Sequence, residues 1–361
     1  MMRYGEAFRI TIFGSSHGPE VGIEIEGIPA GTPIDPGRVQ AELDRRRPVG
    51  RRLATRRQEE DRLVIDRGWV EGRSDGATFR AHVANEDVRP EPYDRMRDTP
   101  RPGHADYPAR VRYGREADLS GGGIFSGRMT VGLVIAGAIA REILAPLGVD
   151  AIAYTRSIGD VEATVPESLD VPKLRALAAT NEVGTPDAAA APRMEAAIAE
   201  ARRDGDSVGG VVEVRLTGVP VGVGEPFFDS VESSIAHLAF SVPAVKAIEF
   251  GAGFAAARMR GSAHNDPFEW VDARVVTATN HAGGILGGLA DGMPIVFRVA
   301  VKPTSSIARP QRTVNLATRT PATLAVTGRH DPCIVPRAVV VLESVGLVAL
   351  ADLALRGGFR A

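Results

Sequence analysis

The chain has 361 residues, 44% of them hydrophobic, with a formal net charge of -2 and a sequence pI of about 6.4. This composition is typical of a soluble globular protein with a sizeable core, and the near-neutral charge gives no general reason to expect nucleic acid or an anionic membrane as a partner. The single cysteine, Cys333, excludes an internal disulfide and a thiolate metal cluster and fits a reducing cytoplasm.

The N-terminal segment MMRYGEAFRITIFG predicts a strand in FRITIF and lacks the charged leader and apolar stretch of a secretion signal. We therefore expect a cytoplasmic protein. The strand leads into FGSSHGPEVG, where Gly14 and Gly18 flank Ser15, Ser16 and His17. Polar residues held in a glycine-punctuated loop are candidates for chemistry.

A strand pattern occurs twice in the chain. VGIEIEGIPAG, residues 21–31, alternates apolar and polar side chains and ends in a Gly-Ile-Pro turn. VVEVRLTGVPVG, residues 211–222, repeats this pattern. Both segments are predicted to be strands with one buried face.

A helical pattern also occurs twice. SGRMTVGLVIAGAIAREIL and VPRAVVVLESVGLVALADLAL each carry an arginine followed nine residues later by glycine, at Arg128 and Gly137 and at Arg337 and Gly346. The apolar runs within them are too short for a membrane span or are broken by Glu343 and Asp352. These segments therefore predict buried helices.

A distant duplication of one strand-and-helix unit explains both pairs, with pseudo-repeats at about residues 1–150 and 206–361. Chance similarity among glycine- and alanine-rich segments is the alternative. The segment between them, about 160–205, has helix-forming runs with start and stop signals and predicts a helical connection. We expect one α+β domain over residues 1–361, built as a β-α-β sandwich.

Arginines cluster near position 50, where DRRRPVGRRLATRR spans residues 44–57. Farther along, RPGHADYPARVRYG places His104 between a Pro-Gly turn and Asp106. SGGGIFSGRMT, residues 120–130, has glycines that let backbone N–H groups approach an anion. Each has a plain alternative: a solvated charged face, a loop histidine that caps the backbone, and an ordinary turn.

Three late motifs complete the set: NHAGGILGG, VKPTSS and GRHDPC. The His-Asp pairs in the chain are also typical of a hard-cation site in a phosphoesterase. Such a site usually has more clustered carboxylates than these motifs supply. The combination of arginines, histidines, a lysine and glycine loops favours a polyanionic small molecule beside a second, phosphate-bearing ligand.

From the N-terminus to about residue 345, the ordered motifs resemble the chorismate synthase family. They are FGSSHG, LDRRRP, RPGHADY, GGGIFSGRMT, VPAVKAIEFGAGF, NHAGGILGG, KPTSS and GRHDPC. The resemblance implies conversion of 5-enolpyruvylshikimate 3-phosphate into chorismate and phosphate by a trans 1,4-elimination, a step of the shikimate pathway toward aromatic amino acids. It also implies reduced FMN without net redox change, a homotetramer, and helices between antiparallel sheets.

The resemblance assigns roles to individual residues. His17 and His104 match the family's two acids, Ser16 lies beside the first, and Asp331 matches the carboxylate that helps to deprotonate the flavin. The substrate-binding arginines implied are Arg46, Arg52, Arg128 and Arg337, with no metal ligand. The flavin contacts implied are Ile124, Phe125, Ser126, Pro243, Ala244, Gly287, Lys302, Pro303, Thr304, Ser305, Ser306 and Arg329.

The sequence departs from the family pattern at three places. Ser15 replaces the usual glutamate before Ser16, GGGIFS lacks an arginine common in bacterial members, and the segment 72–79 is altered. Four readings therefore stay open: chorismate synthase, a diverged paralogue acting on a related enolpyruvyl or shikimate-like phosphate, a metal-dependent phosphohydrolase, and a non-catalytic flavin or anion binder. Whether NADPH reduces the flavin on this protein or an external reductase does so is also open.

Overall fold

The computed structural model describes residues 2–47, 60–86, 97–115, 118–326 and 330–359. Two five-stranded antiparallel sheets enclose a layer of helices, and one continuous hydrophobic core joins them. Each sheet thus buries one face, as antiparallel sheets commonly do. The predicted α+β fold with helices between antiparallel sheets is confirmed.

The first sheet is built from the N-terminal part of the chain. Its strands are β1 Arg3–Tyr4, β2 Arg9–Gly14, β3 Glu20–Glu26, β4 Val64–Arg67 and β7 Phe79–Ala84, in the order β1-β2-β3-β7-β4. In β3, Val21, Ile23 and Ile25 are buried. This period of two is the one that the sequence predicted.

The second sheet contains the repeated strand pattern. Its strands are β8 Asp150–Ile158, β9 Val161–Glu162, β10 Gly210–Thr217, β11 Val245–Phe250 and β16 Ile295–Val301, in the order β11-β16-β10-β8-β9. The central strand β10 buries Val212, Val214 and Leu216. Both predicted strands therefore lie inside a sheet with one face on the core.

Four two-stranded hairpins accompany the sheets in the described ranges. They are β5 Trp69–Val70 with β6 Arg73–Ser74, β12 Phe268–Val271 with β13 Arg274–Thr277, β14 Ile285–Leu286 with β15 Leu289–Ala290, and β17 Gln311–Asn315 with β18 Thr320–Leu324. The turn between β14 and β15 consists of Gly287 and Gly288, whose φ angles of 62° and 91° favour glycine.

Two long helices form the centre of the layer, α3 Thr130–Leu144 and α8 Val335–Arg356. A Cβ added at Gly137 in α3 would lie 2.3 Å from the Cβ of Ser344 in α8, so glycine is needed for this close approach. By length and composition, segments Gly127–Leu147 and Val335–Arg356 could cross a membrane, but 67% and 89% of their most apolar windows are buried in the protein. They are core helices, as predicted.

The described part of the chain contains six further α-helices: α1 Pro36–Arg46, α2 Asp106–Tyr113, α4 Val171–Ala178, α5 Ala191–Arg203, α6 Val231–Ser241 and α7 Gly261–His264. Helix α1 begins after Asp35, whose Oδ1 accepts a hydrogen bond from the Gly37 N–H at 2.8 Å. Helices α4 and α5 occupy the segment 160–205. The sequence expected a helical connection there.

The two acidic residues within the apolar sequence of α8 are buried and form hydrogen bonds. Glu343 accepts hydrogen bonds from Arg45, Arg141 and the Ala153 N–H. Burial opposes its ionisation, but the two arginines hold the pKa of this carboxyl below its ordinary value. Asp352 Oδ1 accepts from the N–H groups of Glu6, Ala7 and Phe8 at 2.8, 2.7 and 2.8 Å.

The repeated patterns occupy corresponding places. Strand β3 belongs to one sheet and β10 to the other, while α3 and α8 contact each other in the centre. Arg128 lies two residues before α3, and Arg337 lies in the first turn of α8. The duplication itself stays a prediction.

Candidate active site

A cavity of about 600 Å³ opens where α3 and α8 begin. Residues from the 101–105 loop, the glycine loop before α3, the end of α6, the 302–306 loop and the start of α8 line it. Of the lining side chains that the structure describes, six are cationic and two are anionic: Arg46, Arg101, Arg128, Lys246, Lys302 and Arg337 against Asp61 and Asp331. This excess of positive charge favours a polyanionic ligand.

The glycine loop, Gly121–Gly123, lies against both predicted catalytic histidines. Its three φ angles are 59°, 93° and 52°, a conformation that favours glycine at every position. A Cβ added at Gly121 would lie 1.9 Å from Cε1 of His17, and one at Gly122 would lie 3.4 Å from Nε2 of His104. Two adjacent glycines therefore allow His17 and His104, which are 87 residues apart in the sequence, to pack against one loop.

His17 is held beside Ser16 in a fixed turn. Ser16 is fully buried, and its Oγ lies 3.1 Å from Nδ1 of His17. The Ser16 N–H donates to the Gly123 carbonyl at 3.3 Å. Asn85 Nδ2 donates to the carbonyls at both ends of the turn 15–18, at 3.0 and 2.7 Å. Ser16 and His17 stand behind the glycine loop and do not themselves line the cavity.

His104 belongs to a compact ionic group on the cavity wall. Its Nδ1 lies 2.6 Å from Oδ1 of Asp106, and Arg101 binds the same carboxylate through Nε at 2.7 Å and Nη2 at 2.8 Å. Burial opposes ionisation of Asp106, but hydrogen bonds from Arg101 and His104 outweigh it and hold the pKa of this carboxyl well below its ordinary value. Arg101 Nη1 also donates to Ser306 Oγ at 3.3 Å.

Arg46, Arg128 and Asp61 form a buried arginine cluster deeper in the cavity. Arg46 donates to Asp61 Oδ2 at 3.1 Å, and Arg128 donates to Asp61 Oδ1. Arg46 also binds Thr130 Oγ1 and the Gly127 carbonyl, each at 3.0 Å. Burial opposes ionisation of Asp61, but the two arginines hold the pKa of its carboxyl below its ordinary value.

Arg128 also links this cluster to the first histidine. Its Nε donates to Oδ1 of Asn85 at 2.8 Å, and Asn85 fixes the turn that carries His17. Two of the predicted substrate arginines, Arg46 and Arg128, are therefore connected through hydrogen bonds to the turn that carries His17.

Asp331 and Arg337 form the opposite edge of the cavity. Arg337 Nη1 donates to Asp331 Oδ2 at 2.6 Å, and its Nε donates to the Arg46 carbonyl at 3.1 Å. His330 also lines the cavity, and burial together with the charge of Arg101 lowers the pKa of its imidazole. The cavity thus receives a carboxylate and a further imidazole from the GRHDPC motif.

Lys246 and Lys302 lie together at the cavity. The Lys302 N–H donates to the carbonyl of Ala244 at 2.9 Å, which joins the two segments. Burial and the neighbouring charge of Lys246 lower the pKa of Lys302. The repulsion between two like charges held close together is reduced when an anion binds between them, so this lysine pair favours a phosphate.

Most of the predicted flavin contacts meet in this cavity. Lining residues among them are Ile124, Phe125, Ser126, Pro243, Ala244, Lys302, Thr304, Ser305 and Ser306. Pro303 lies between two of them but does not line the cavity, and Gly287 lies in the β14–β15 turn at the opposite end of α6. Arg52 and Arg329 lie outside the described residues. The altered segment 72–79 does not line the cavity either.

Among the described residues that line the cavity, four ionisable ones were not predicted as site residues. Arg101, His330 and Lys246 lie inside the sequence motifs described above, next to or near predicted site residues. Their charge in a glycine- or proline-punctuated motif is a signal that could have identified them. Asp61 has no such local signal, because its role depends on two arginines from other segments.

The His-Asp pairs do not form a metal-ligand cluster in the described parts of the chain. Among those residues, no three His, Cys, Asp or Glu side chains are grouped so that they could hold a metal ion. Asp106 and Asp331 instead accept hydrogen bonds from Arg101 and Arg337.

Comparison with known proteins agrees with this geometry. A family model described as chorismate synthase matches residues 8–355. Chorismate synthase of Dehalococcoides mccartyi (strain ATCC BAA-2266 / KCTC 15142 / 195) is 47% identical over 354 residues, which cover 98% of this chain and 96% of the relative. Chorismate synthase of Aeropyrum pernix is 49% identical over 351 residues, covering 97% and 92%. A crystal structure of chorismate synthase superposes with a TM-score of 0.77 at 27% identity, covering 99% of this chain and 94% of that one.

Proposed function

The chain belongs to the chorismate synthase family, and from this premise we propose that it eliminates phosphate from 5-enolpyruvylshikimate 3-phosphate to give chorismate, with reduced FMN bound. The observation that carries the proposal is the cavity itself, with six cationic and two anionic side chains and both histidines against its glycine loop. The substrate bears two carboxylates and a phosphate ester, so its removal from water needs several fixed cations.

The two histidines supply protons at neighbouring points of the glycine loop. His104 lines the cavity and is oriented by Asp106, while His17 is oriented by Ser16. Phosphate loss builds negative charge on the leaving oxygens, and an imidazolium held at that position stabilises it. By the family resemblance, one histidine serves the leaving phosphate and the other serves the cofactor.

Asp331 is the carboxylate proposed to assist proton removal. Its carboxylate stands on the cavity wall, and Arg337 fixes its orientation through Oδ2. We propose that it assists removal of a proton during the elimination, in accordance with the family role.

The residues present fit a reduced flavin. Ile124, Phe125, Val242, Pro243 and Ile334 give the cavity an apolar wall, and Lys246 and Lys302 provide cations for a phosphate. When bound, the reduced flavin supplies electron density to the substrate ring as the phosphate departs. NADPH as the reductant is part of the proposal, and the arginine segment suggested for it lies mainly between residues 48 and 59, outside the described residues.

Assembly as a cytoplasmic homotetramer is also proposed. Large apolar side chains are exposed on the described surface, among them Phe228 at 92% and Trp270 at 77%. Exposed aromatic groups of this size support an interface between proteins. Light scattering of the purified protein measures the number of subunits directly.

The deciding experiment measures phosphate and chorismate formed anaerobically from 5-enolpyruvylshikimate 3-phosphate, after chelation of metals, with and without dithionite-reduced FMN. We expect both products in equal amounts and only with reduced FMN. Flavin binding without turnover indicates a paralogue with another substrate or a binding protein. Phosphate release that needs a metal and no flavin indicates a phosphohydrolase.

A further inference from the structure

We propose that Asp106 is the positioning residue for His104: its carboxylate accepts a hydrogen bond from the Nδ1–H group and leaves Nε2 of the same ring directed at the glycine loop. This inference rests on the proposed function, in which His104 is an acid. Asp106 does not line the cavity and acts through its neighbour.

Asp106 and Arg101 both approach Nδ1 of His104, and this nitrogen can form a hydrogen bond with only one of them. Asp106 Oδ1 lies 2.6 Å away and needs a hydrogen, whereas Arg101 Nη2 lies 3.2 Å away and needs a lone pair. Arg101 Nη2 already donates to Asp106 Oδ1 at 2.8 Å. The shorter contact to a charged acceptor therefore decides that Nδ1 carries the proton.

The opposite nitrogen is then the one available for chemistry. Nε2 of His104 is the atom nearest to the position of a Cβ on Gly122, at 3.4 Å. His104 lines the cavity, and 19% of its side chain is exposed. A fixed Nδ1–H makes Nε2 the acceptor in the neutral ring and the donor in the imidazolium.

The carboxylate is itself held rigidly. Arg101 grips it through two side-chain nitrogens, and the Arg101 backbone N–H donates to Oδ2 at 3.0 Å. Asp106 is also the first residue of α2, where a negative charge is favoured by the helix dipole. Since Arg101 reaches Ser306, this group ties the histidine to the 302–306 loop.

A double-mutant cycle tests whether Asp106 acts through His104. We expect Asp106→Asn to lower kcat about 100-fold with KM changed less than about threefold, and Asp106→Glu to recover about tenfold of that loss. His104→Ala removes most turnover while the protein stays folded by thermal unfolding. Asp106→Asn added to His104→Ala should lower kcat no further, whereas a second 100-fold loss overturns the proposal.

A measurement without turnover separates this proposal from the proposed function. Diethyl pyrocarbonate modifies only the unprotonated imidazole, and mass spectrometry follows the peptide that contains His104. The charged or titratable groups near this ring are Arg101, Asp106 and His330. In Asp106→Asn the carboxylate that fixes the hydrogen on Nδ1 is gone, so Nε2 carries the reactive lone pair less often; at one fixed pH we expect modification of His104 to slow several-fold, while Asp106→Glu should match the wild type. Equal modification rates for Asp106→Asn and the wild type refute the proposal, whether or not chorismate is formed.

Discussion

The buried arginine cluster and the lysine pair line the same cavity but use their charge in opposite ways. Arg46 and Arg128 are 3% and 6% exposed, and each donates hydrogen bonds to the protein through all three guanidinium nitrogens. In the lysine pair, Lys246 is exposed, and the one side-chain hydrogen bond found among described residues joins Lys302 Nζ to the Pro303 carbonyl at 3.3 Å.

The two groups therefore differ in how they can serve a bound anion: the arginines are already paired within the protein, whereas the lysines are partly open to solvent. A buried guanidinium paired with Asp61 holds segments of the chain together and contributes a fixed electrostatic field. A partly exposed ammonium group can exchange water for a phosphate oxygen. We therefore expect changes in the first group to affect folding and changes in the second to affect binding.

The largest effect is expected from Asp61→Asn. This change leaves two buried arginines without their shared carboxylate, and we expect the free energy of unfolding in urea to fall by about 3 kcal/mol or more. Glu162→Gln is the matched control, because Glu162 pairs with Arg156 at 3.1 Å but its side chain is 68% exposed. The control should lose less than about 1 kcal/mol. Equal losses in both variants contradict a structural role for the cluster.

Acid should distinguish Asp61 in the same experiment. Its folded-state pKa is lowered, so the unfolded chain binds the proton more tightly and the stabilisation is complete above the ordinary value of 3.8. The stabilisation is then lost as the pH falls through the lower folded value. Wild-type stability should therefore fall more steeply than that of Asp61→Asn below a pH of about 4. Parallel pH curves would exclude this carboxylate as a source of acid sensitivity.

A smaller effect, on turnover, is expected from Gly121→Ala. The new Cβ would overlap the ring of His17, and the φ of 59° disfavours alanine, so the histidine or the loop has to move. We expect kcat to fall about 100-fold, as catalytic groups displaced by about 1 Å commonly show. Gly148→Ala is the control, since its φ of 82° is also positive, no atom lies within 4 Å of its added Cβ, and it does not line the cavity. Similar kinetics in both variants would mean that loop shape does not position His17.

Sequence patterns predicted the elements around the cavity because those elements follow local rules. The alternation in β3 and β10, the apolar segments of α3 and α8, and the glycines at 121–123 each carry their own signal. The motifs with Lys302 and Asp331 were identified in the same way, although their roles remain predictions.

What the sequence could not predict depends on contacts between distant segments. Asp61 binds Arg46, 15 residues away, and Arg128, 67 residues away. No local sequence pattern predicts this pairing. Lys246 approaches Lys302 only because β11 and β16 are neighbours in the second sheet. Gly287 is the opposite case, in which a local motif predicted a contact that one chain does not show. Its motif suggested a flavin contact, but within one chain the glycine lies in a hairpin turn away from the cavity-lining residues.

The smallest effect is expected from Lys246→Ala, and it should appear in binding alone. Loss of one ammonium group that contacts a phosphate weakens binding by about tenfold, so the Kd of reduced FMN in anaerobic titration should rise by that factor. The remaining Lys302 should then titrate at higher pH, because the like charge that lowers its pKa together with burial is gone.

The chain provides its own control for this change, since it has only three lysines and the third, Lys173, is exposed on α4 and does not line the cavity. Lys173→Ala should leave the Kd of reduced FMN unchanged, and both variants should unfold within about 0.5 kcal/mol of the wild type. The binding defect should also shrink as salt is added, because exposed charges are screened. If Lys246→Ala destabilises the fold as Asp61→Asn does, while the Kd stays constant, then the lysine is structural and the contrast between the two groups is wrong.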